Sequence, residues 1–169
     1  MGNCFNTSDS NDIKEDIPSH QIKITNKYTV NYPNHEKRVN SSIYNKTHNE
    51  LCNVIKLSCF ICNRTKKEVG QSLETHHFYI EKAAVNCIDW HVFGKFAQNC
   101  YNIQTGECIA SNFDWEKVAK NPDIFVDSKY NMIVLCKEHH TSGSKGIHHV
   151  AFPDWIIQKF AKKNYNYLI

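Results

Sequence analysis

The chain has 169 residues, of which 41% are hydrophobic and 22% charged, with a formal net charge of +3. That length provides for one modest domain plus a tail, with a small core that a metal ion could usefully staple. No apolar run approaches the roughly 18 residues that span a bilayer, and a charge this small permits nucleic-acid binding without arguing for it.

Met1-Gly2-Asn3-Cys4 faintly resembles an acylation signal, but the sixth position, which needs Ser or Thr, is Asn6. With no charged-then-apolar leader, the expected location is intracellular, in the cytoplasm. In a reducing compartment, eight cysteines with histidines nearby point to metal binding rather than a disulfide framework.

Residues 1–50 are polar and rich in Asn, Ser, Lys and Thr, and one short alternating stretch runs from Gln21 to Thr25. They read as a mostly flexible extension, with at most a strand or a helix turn near its end. Either it is plain unstructured chain or it is an arm that touches DNA phosphates. Residues 51–169 read as the functional domain. Leu51, Val54, Ile55 and Leu57 predict an apolar strand that enters a turn at Cys59-Phe60-Ile61-Cys62-Asn63-Arg64. Leu73, His76, His77, Phe78, Tyr79 and Ile80 fit a second short strand. The spacing of Ala84, Val85, Ile88, Trp90, Val92 and Phe93 predicts a helix over 83–96.

Residues 98–128 form a long insertion, with a turn at Thr105-Gly106-Glu107 and a helix at Trp115–Lys120 ended by Asn121-Pro122. From Asn131 to Cys136 the chain reads as a strand or loop feeding a helix that starts near Lys137 or Glu138. A Gly/Ser loop, Thr141–Gly146, leads to Ile147-His148-His149. A closing helix is expected over 154–163, with Trp155, Ile156, Ile157, Phe160 and Ala161 on its apolar face. Trp90, Trp115 and Trp155 read as core residues rather than base-stacking platforms. Cys87, Cys100 and Cys108 make no Cys-x-x-Cys pair and read as small buried residues, with a second zinc as the lesser alternative.

Zinc takes four ligands drawn from Cys and His. Cys59 and Cys62 supply one pair, and Cys136 and His139 supply another at the same spacing. A metal that joins such distant segments removes much of the entropy of the unfolded chain. Ordinary buried cysteines would not need two matching pairs. His140 follows His139 on the same helix turn and points about 100° away from it, so it faces elsewhere. His76 and His77 in a strand point to opposite faces, unless local twist brings both to one cleft. Imidazoles meeting from a strand and a helix suit a divalent ion with open coordination positions.

The ordered set Cys59-x-x-Cys62, His76-His77, Asn131 and Cys136-x-x-His139-His140 resembles the HNH nuclease family, whose ββα-metal finger is held by a zinc knuckle. More narrowly, Val126-Asp127-Ser128, Val134-Leu135-Cys136, Gly146-Ile147-His148 and Pro153-Asp154-Trp155 resemble the HNH proteins of bacteriophages and large DNA viruses. The resemblance covers roughly residues 55–160. It implies an α+β fold: a small zinc-stapled ββα-metal finger with a helical insertion and a C-terminal helix. It further implies His76 and His140 as ligands of a catalytic divalent ion (Mg²⁺ or another), His77 as general base and Asn131 as the residue pinning the loop that orients it. Cys59, Cys62, Cys136 and His139 would hold structural Zn²⁺. The family's usual fourth cysteine is here His139, so the division of work between His139 and His140 stays open.

The implied activity is endonucleolytic hydrolysis of phosphodiester bonds in DNA, inside a host cell, by a one-metal mechanism with a histidine base. A site built on acidic residues is less expected, because few carboxylates lie near the His and Cys pairs in the sequence: Glu74, Glu81 and Glu138. Lys137, Lys145 and His148 are the candidate substrate contacts. His148 and His149 alternatively complete the metal shell, or make local hydrogen bonds beside the glycine-rich loop. Lys66, Lys67, Lys159, Lys162 and Lys163 either extend a phosphate track or are solvated faces. The rival to the nuclease is a catalytically silent zinc-stabilised module that binds nucleic acid. A third reading is a structural or regulatory viral protein that keeps the finger for stability alone.

Overall fold

The computed structural model describes residues 20–25, 29–34, 39–161, 167 and 168. The expectations for Met1–Cys4 and for Lys162 and Lys163 fall outside those residues. Gln21–Thr25 has no regular structure, and Ile22 and Ile24 are exposed.

Ser41 starts the first helix. Its backbone is extended and its hydroxyl accepts from the Tyr44 N–H, which satisfies one of the unpaired donors at the helix start. Helix α1 (Ser42–Asn49) then runs straight into a π-helical turn, Glu50–Val54. The strand expected from Leu51, Val54, Ile55 and Leu57 is therefore replaced by the end of a helix. Leu51 and Cys52 are buried while Val54 and Ile55 are exposed, a pattern that a widened helical turn produces and strict alternation does not. The Leu57 N–H bonds back to the Leu51 carbonyl at 2.9 Å, and Lys56 takes the left-handed conformation that reverses the chain.

The knuckle turn at 59–64 is followed by α2 (Lys66–Val69). A reciprocal capping box between Thr65 and Glu68 opens this helix, and left-handed Gly70 closes it. Strand β1 (Glu74–His77) pairs antiparallel with β2 (Met132–Leu135), Glu74 opposite Leu135 and His77 opposite Met132. The fold is thus mixed α+β around a two-stranded sheet. The single helix expected over 83–96 is two elements, a 3₁₀ segment at Lys82–Cys87 and α3 (Trp90–Ala97). Asp89 causes the break: its carboxylate accepts from the N–H groups of His91 and Val92, each at 3.0 Å, and so starts a new helix.

Next come α4 (Trp115–Lys120), α5 (Asp123–Val126), α6 (Lys137–Thr141) and α7 (Asp154–Phe160). The closing helix is shorter than the pattern predicts because Ala161 turns to an extended ψ. No helix among the described residues is long and apolar enough to cross a membrane.

Two apolar clusters form. One is built around β2, all four of whose residues are buried, and also contains Leu51, Phe60, Leu73 and Trp155. The other belongs to the insertion and is largely aromatic, with Trp90, Phe93 and Phe125 at its centre and Phe113 and Trp115 packed around them. All three tryptophans pack in these cores, as expected. Cys100 is buried, but Cys87 is exposed and Cys108 half-buried. Cys87 corrects the expectation of a buried residue, because the 3₁₀ turn leaves it at the surface.

Side-chain amides join the insertion to the sheet. Asn102 folds its own loop by accepting from the N–H groups of Gln104 and Thr105, and donates to the Lys129 and Met132 carbonyls. Gln104 accepts from the Val134 N–H at 2.8 Å and donates to the Ser58 carbonyl at 2.8 Å. The Phe60 N–H reaches the Val134 carbonyl at 2.8 Å.

Gly94 carries the closest packing in the insertion core, since a Cβ there would sit 2.7 Å from Trp115 Cγ. Gly94→Ala should destabilise the protein by about 1–3 kcal/mol, whereas Gly143→Ala, which meets nothing within 4 Å, should change it little. Urea denaturation of both variants checks the contrast.

Candidate metal centres

The knuckle turn presents Cys59 and Cys62 to the start of α6. The Cys59 N–H bonds to the Arg64 carbonyl and the Asn63 N–H to the Cys59 carbonyl, both at 2.9 Å. Asn63 is left-handed, a conformation asparagine tolerates. Cys136 is the N-cap of α6, and His139 follows one turn later. Cys136 Sγ lies 3.1 Å from His139 Nδ1, Cys59 Sγ lies 3.7 Å from that nitrogen, and Cys62 Sγ lies 4.0 Å from Cys136 Sγ. The four ligand atoms all fall within 4.8 Å of one another.

Tetrahedral zinc with Zn–S bonds near 2.3 Å needs sulfurs roughly 3.8 Å apart, so this donor set fits structural zinc. The hydrogen bond between Cys59 and Cys62 pushes the Cys59 thiol up. The same bond holds Cys62 well below the ordinary thiol value, and His139 and Arg64 lower it further against the cost of burial. Trp155 Nε1 donates to the His139 carbonyl, and Trp155 stacks on Phe60, so α7 clamps both halves of the cluster.

A second group of donors lies apart from the first. His76 from β1, His140 from α6 and His148 from the loop beyond it place one ring nitrogen each within 4.8 Å of one another. His140 Nε2 and His148 Nε2 are 3.1 Å apart. Glu74 Oε2 lies 2.6 Å from His140 Nδ1. A carboxylate only accepts, so His140 Nδ1 carries the hydrogen and Nε2 presents its lone pair to the cluster. Gly146 allows the loop to return, because its Cα approaches Ser142 so closely that a Cβ would lie 2.6 Å from that residue's carbonyl oxygen.

His77 is 4% exposed, and its Nε2 lies 3.0 Å from Asp127 Oδ1. The Glu81 carboxylate reaches both strand histidines, 3.4 Å from His76 Nε2 and 3.9 Å from His77 Nδ1. Asn131 is fully buried. Its Oδ1 accepts from the N–H groups of Tyr79 and Ile80, and its Nδ2 donates to the carbonyls of Ile80 and Val126. Burial would raise the Asp127 carboxyl, but hydrogen bonds from His77 and Ser41 and the charge of Lys82 outweigh it and hold the group below its ordinary value.

The structure thus brings together Cys59, Cys62, Cys136 and His139 as one group, and His76, His140 and His148 as another. His148 sits against His140 rather than apart from the other imidazoles. Lys137 is exposed on α6, while Lys145 is engaged by Glu138 at 3.1 Å. The carboxylates Glu74, Glu81 and Asp127 complete the surroundings without having been assigned roles from the sequence. A single acidic residue has no spacing signature that would mark it in the sequence. Comparison of the chain with protein-family models, curated proteins and solved structures finds no match, so geometry alone carries the functional reading.

The protein should bind about one equivalent of zinc tightly. Cys136→Ser should lose it and melt at a markedly lower temperature, as read by elemental analysis and thermal denaturation. Asp127 yields a pH-dependent outcome. Its folded carboxyl releases its proton more readily than the unfolded one. Its contribution to stability is therefore present above the unfolded value near pH 4 and is lost as pH falls through the folded value. Asp127→Asn should be destabilised at neutral pH, and its gap from wild type should narrow steadily below about pH 4. Acid loss of zinc affects both chains alike and cancels in that comparison.

Proposed function

We propose that the chain is a metal-dependent endonuclease of the HNH kind, with residues 51–169 as its nuclease domain and DNA as its substrate. The observation that carries this reading is the His76, His140 and His148 cluster standing beside, and separate from, a Cys₃His donor set that fits zinc. A module stabilised by zinc alone has no use for a second set of converging imidazoles. His76, His140 and His148 would hold the second ion, which supplies a Lewis acid for a phosphoryl oxygen when bound. Three imidazoles favour a borderline transition ion such as Mn²⁺, Co²⁺, Ni²⁺ or Zn²⁺ over Mg²⁺, which prefers oxygen.

The chain's own residues do the rest. His77 takes the proton of the attacking water at Nδ1, the nitrogen directed toward Glu81 and the His76 side. Asn131 fixes the chain leaving β1 through its bonds to Tyr79 and Ile80, and so holds the end of the strand that carries His77. Lys137 contacts substrate phosphate, and Lys145 does so in exchange with Glu138. Of the two roles open to His148, substrate contact or member of the metal shell, its place beside His76 and His140 supports the second. The burial of His77 favours a second reading, a zinc-stabilised nucleic-acid-binding module in which that imidazole is structural.

Nicking of supercoiled DNA across a panel of divalent ions separates the two. Wild type should cleave, and better with Mn²⁺, Co²⁺ or Ni²⁺ than with Mg²⁺. His77→Ala should lower kcat by about 10²–10⁴-fold. His76→Ala and His140→Ala should abolish metal stimulation while the sulfur-held zinc and DNA binding persist. Binding without cleavage under every ion would establish the module, and cleavage of RNA alone would replace DNA as substrate.

A further inference from the structure

We propose that Asp127 is the positioning residue of His77, fixing it as the tautomer with hydrogen on Nε2 and a bare Nδ1. This rests on the reading of His77 as the general base and deepens it. Asp127 closes α5 and is 2% exposed. Its Oδ2 accepts from the Ser41 hydroxyl at 2.6 Å and faces Lys82 Nζ at 3.4 Å, while Oδ1 lies 3.0 Å from His77 Nε2. Two donors on Oδ2, one of them cationic, keep the group a carboxylate, and a carboxylate only accepts. The hydrogen between Oδ1 and the imidazole therefore belongs to Nε2. That leaves Nδ1 with its lone pair directed at the side where Glu81 stands against His76.

The surroundings hold this arrangement. Tyr44 packs against the imidazole at 6.2 Å between ring centres. The pocket bounded by Val39, Asn40, Ser41, Tyr44, His77, Lys82 and Asp127 is about 10 Å³, room for no more than one water, and turning the ring over would break its bond to Asp127. The 3.9 Å from His77 Nδ1 to Glu81 is longer than a hydrogen bond, so Glu81 does not occupy the proton-accepting nitrogen. Lys82 is itself shared between Asp127 and Asp123, and Ser41 is at the same time the N-cap of α1. Asp127 thus ties helix α1, which lies before the proposed nuclease domain, to the base.

The test is long-range proton–nitrogen correlation of the histidine rings in the ¹⁵N-labelled full chain at pH 8, with His77 assigned by comparison with His77→Gln. The expected spectrum of wild type shows hydrogen on His77 Nε2 and none on Nδ1. A hydrogen on Nδ1 overturns the proposal. Asp127→Asn presents an amide that can donate, so it should shift His77 toward the other tautomer and lower kcat at least about tenfold, with KM and DNA binding nearly unchanged. Unchanged kcat and spectrum in that variant overturn the proposal as well. Ser41→Ala removes a partner of Asp127 but leaves its acceptor in place, so it should keep the wild-type tautomer even where it costs stability. If wild type cleaves nothing, the nuclease reading fails, yet the nitrogen spectrum still decides the assignment of Asp127 to His77 by itself.

Discussion

Four residues of β1 lie antiparallel to four residues of β2, and both groups of candidate ligands are hung from that short ladder. Because Glu74 faces Leu135, Cys136 and the first turn of α6 begin where β1 begins. Glu74 thereby reaches His140, and His76 meets His140 from inside the strand. A slip of one residue would turn His76 to the opposite face of the sheet and dismantle the imidazole cluster. So few backbone bonds do not hold register alone. The knuckle supplies a second fastening, since Cys59 and Cys62 meet Cys136 and His139 next to the strand ends. Asn131 supplies a third on the other side by gripping the chain that leaves β1.

The division between the two ligand groups follows from their chemistry. The first is rich in sulfur, buried and closed by α7. The second is made of imidazoles, opens toward His148 at the surface, and is backed by carboxylates. Glu74 orients His140, Glu81 lies against His76, and Asp127 holds His77. Each ring is turned by an acceptor at one nitrogen so that the other faces a defined direction. The arrangement separates a sulfur-rich group suited to structural zinc from an imidazole group that could coordinate a second ion, with carboxylates behind it.

The pairs Cys59/Cys62 and Cys136/His139 were legible because a spacing of two residues imposes a geometry on a turn or a helix start regardless of what lies between. The α+β character and a strand through His76 and His77 were legible for similar local reasons, although that strand stops at His77 where the apolar pattern ran on to Ile80. What escaped depended on tertiary context. The segment at 51–57 carries apolar residues in no strict alternation, and a π-turn prolonging α1 reads poorly in either period. The break at Ile88–Asp89 was written in an ordinary N-cap aspartate, but the apolar spacing on both sides concealed it. The aromatic core of the insertion comes from elements remote in sequence. Asp127, Ser41 and Lys82 converge on His77 only after folding.

The amides of Asn102 and Gln104 have a consequence for association. A two-stranded sheet offers outer rims where a foreign strand can dock through its main chain. On β2 that rim is filled: Gln104 takes the Val134 N–H, Phe60 takes the Val134 carbonyl, and Asn102 takes the Met132 carbonyl. The insertion and the knuckle turn thereby act as a selvedge, finishing this side of the sheet with two side-chain amides and one backbone N–H in place of a further strand. The Val134 N–H and carbonyl and the Met132 carbonyl are withheld from any neighbouring strand.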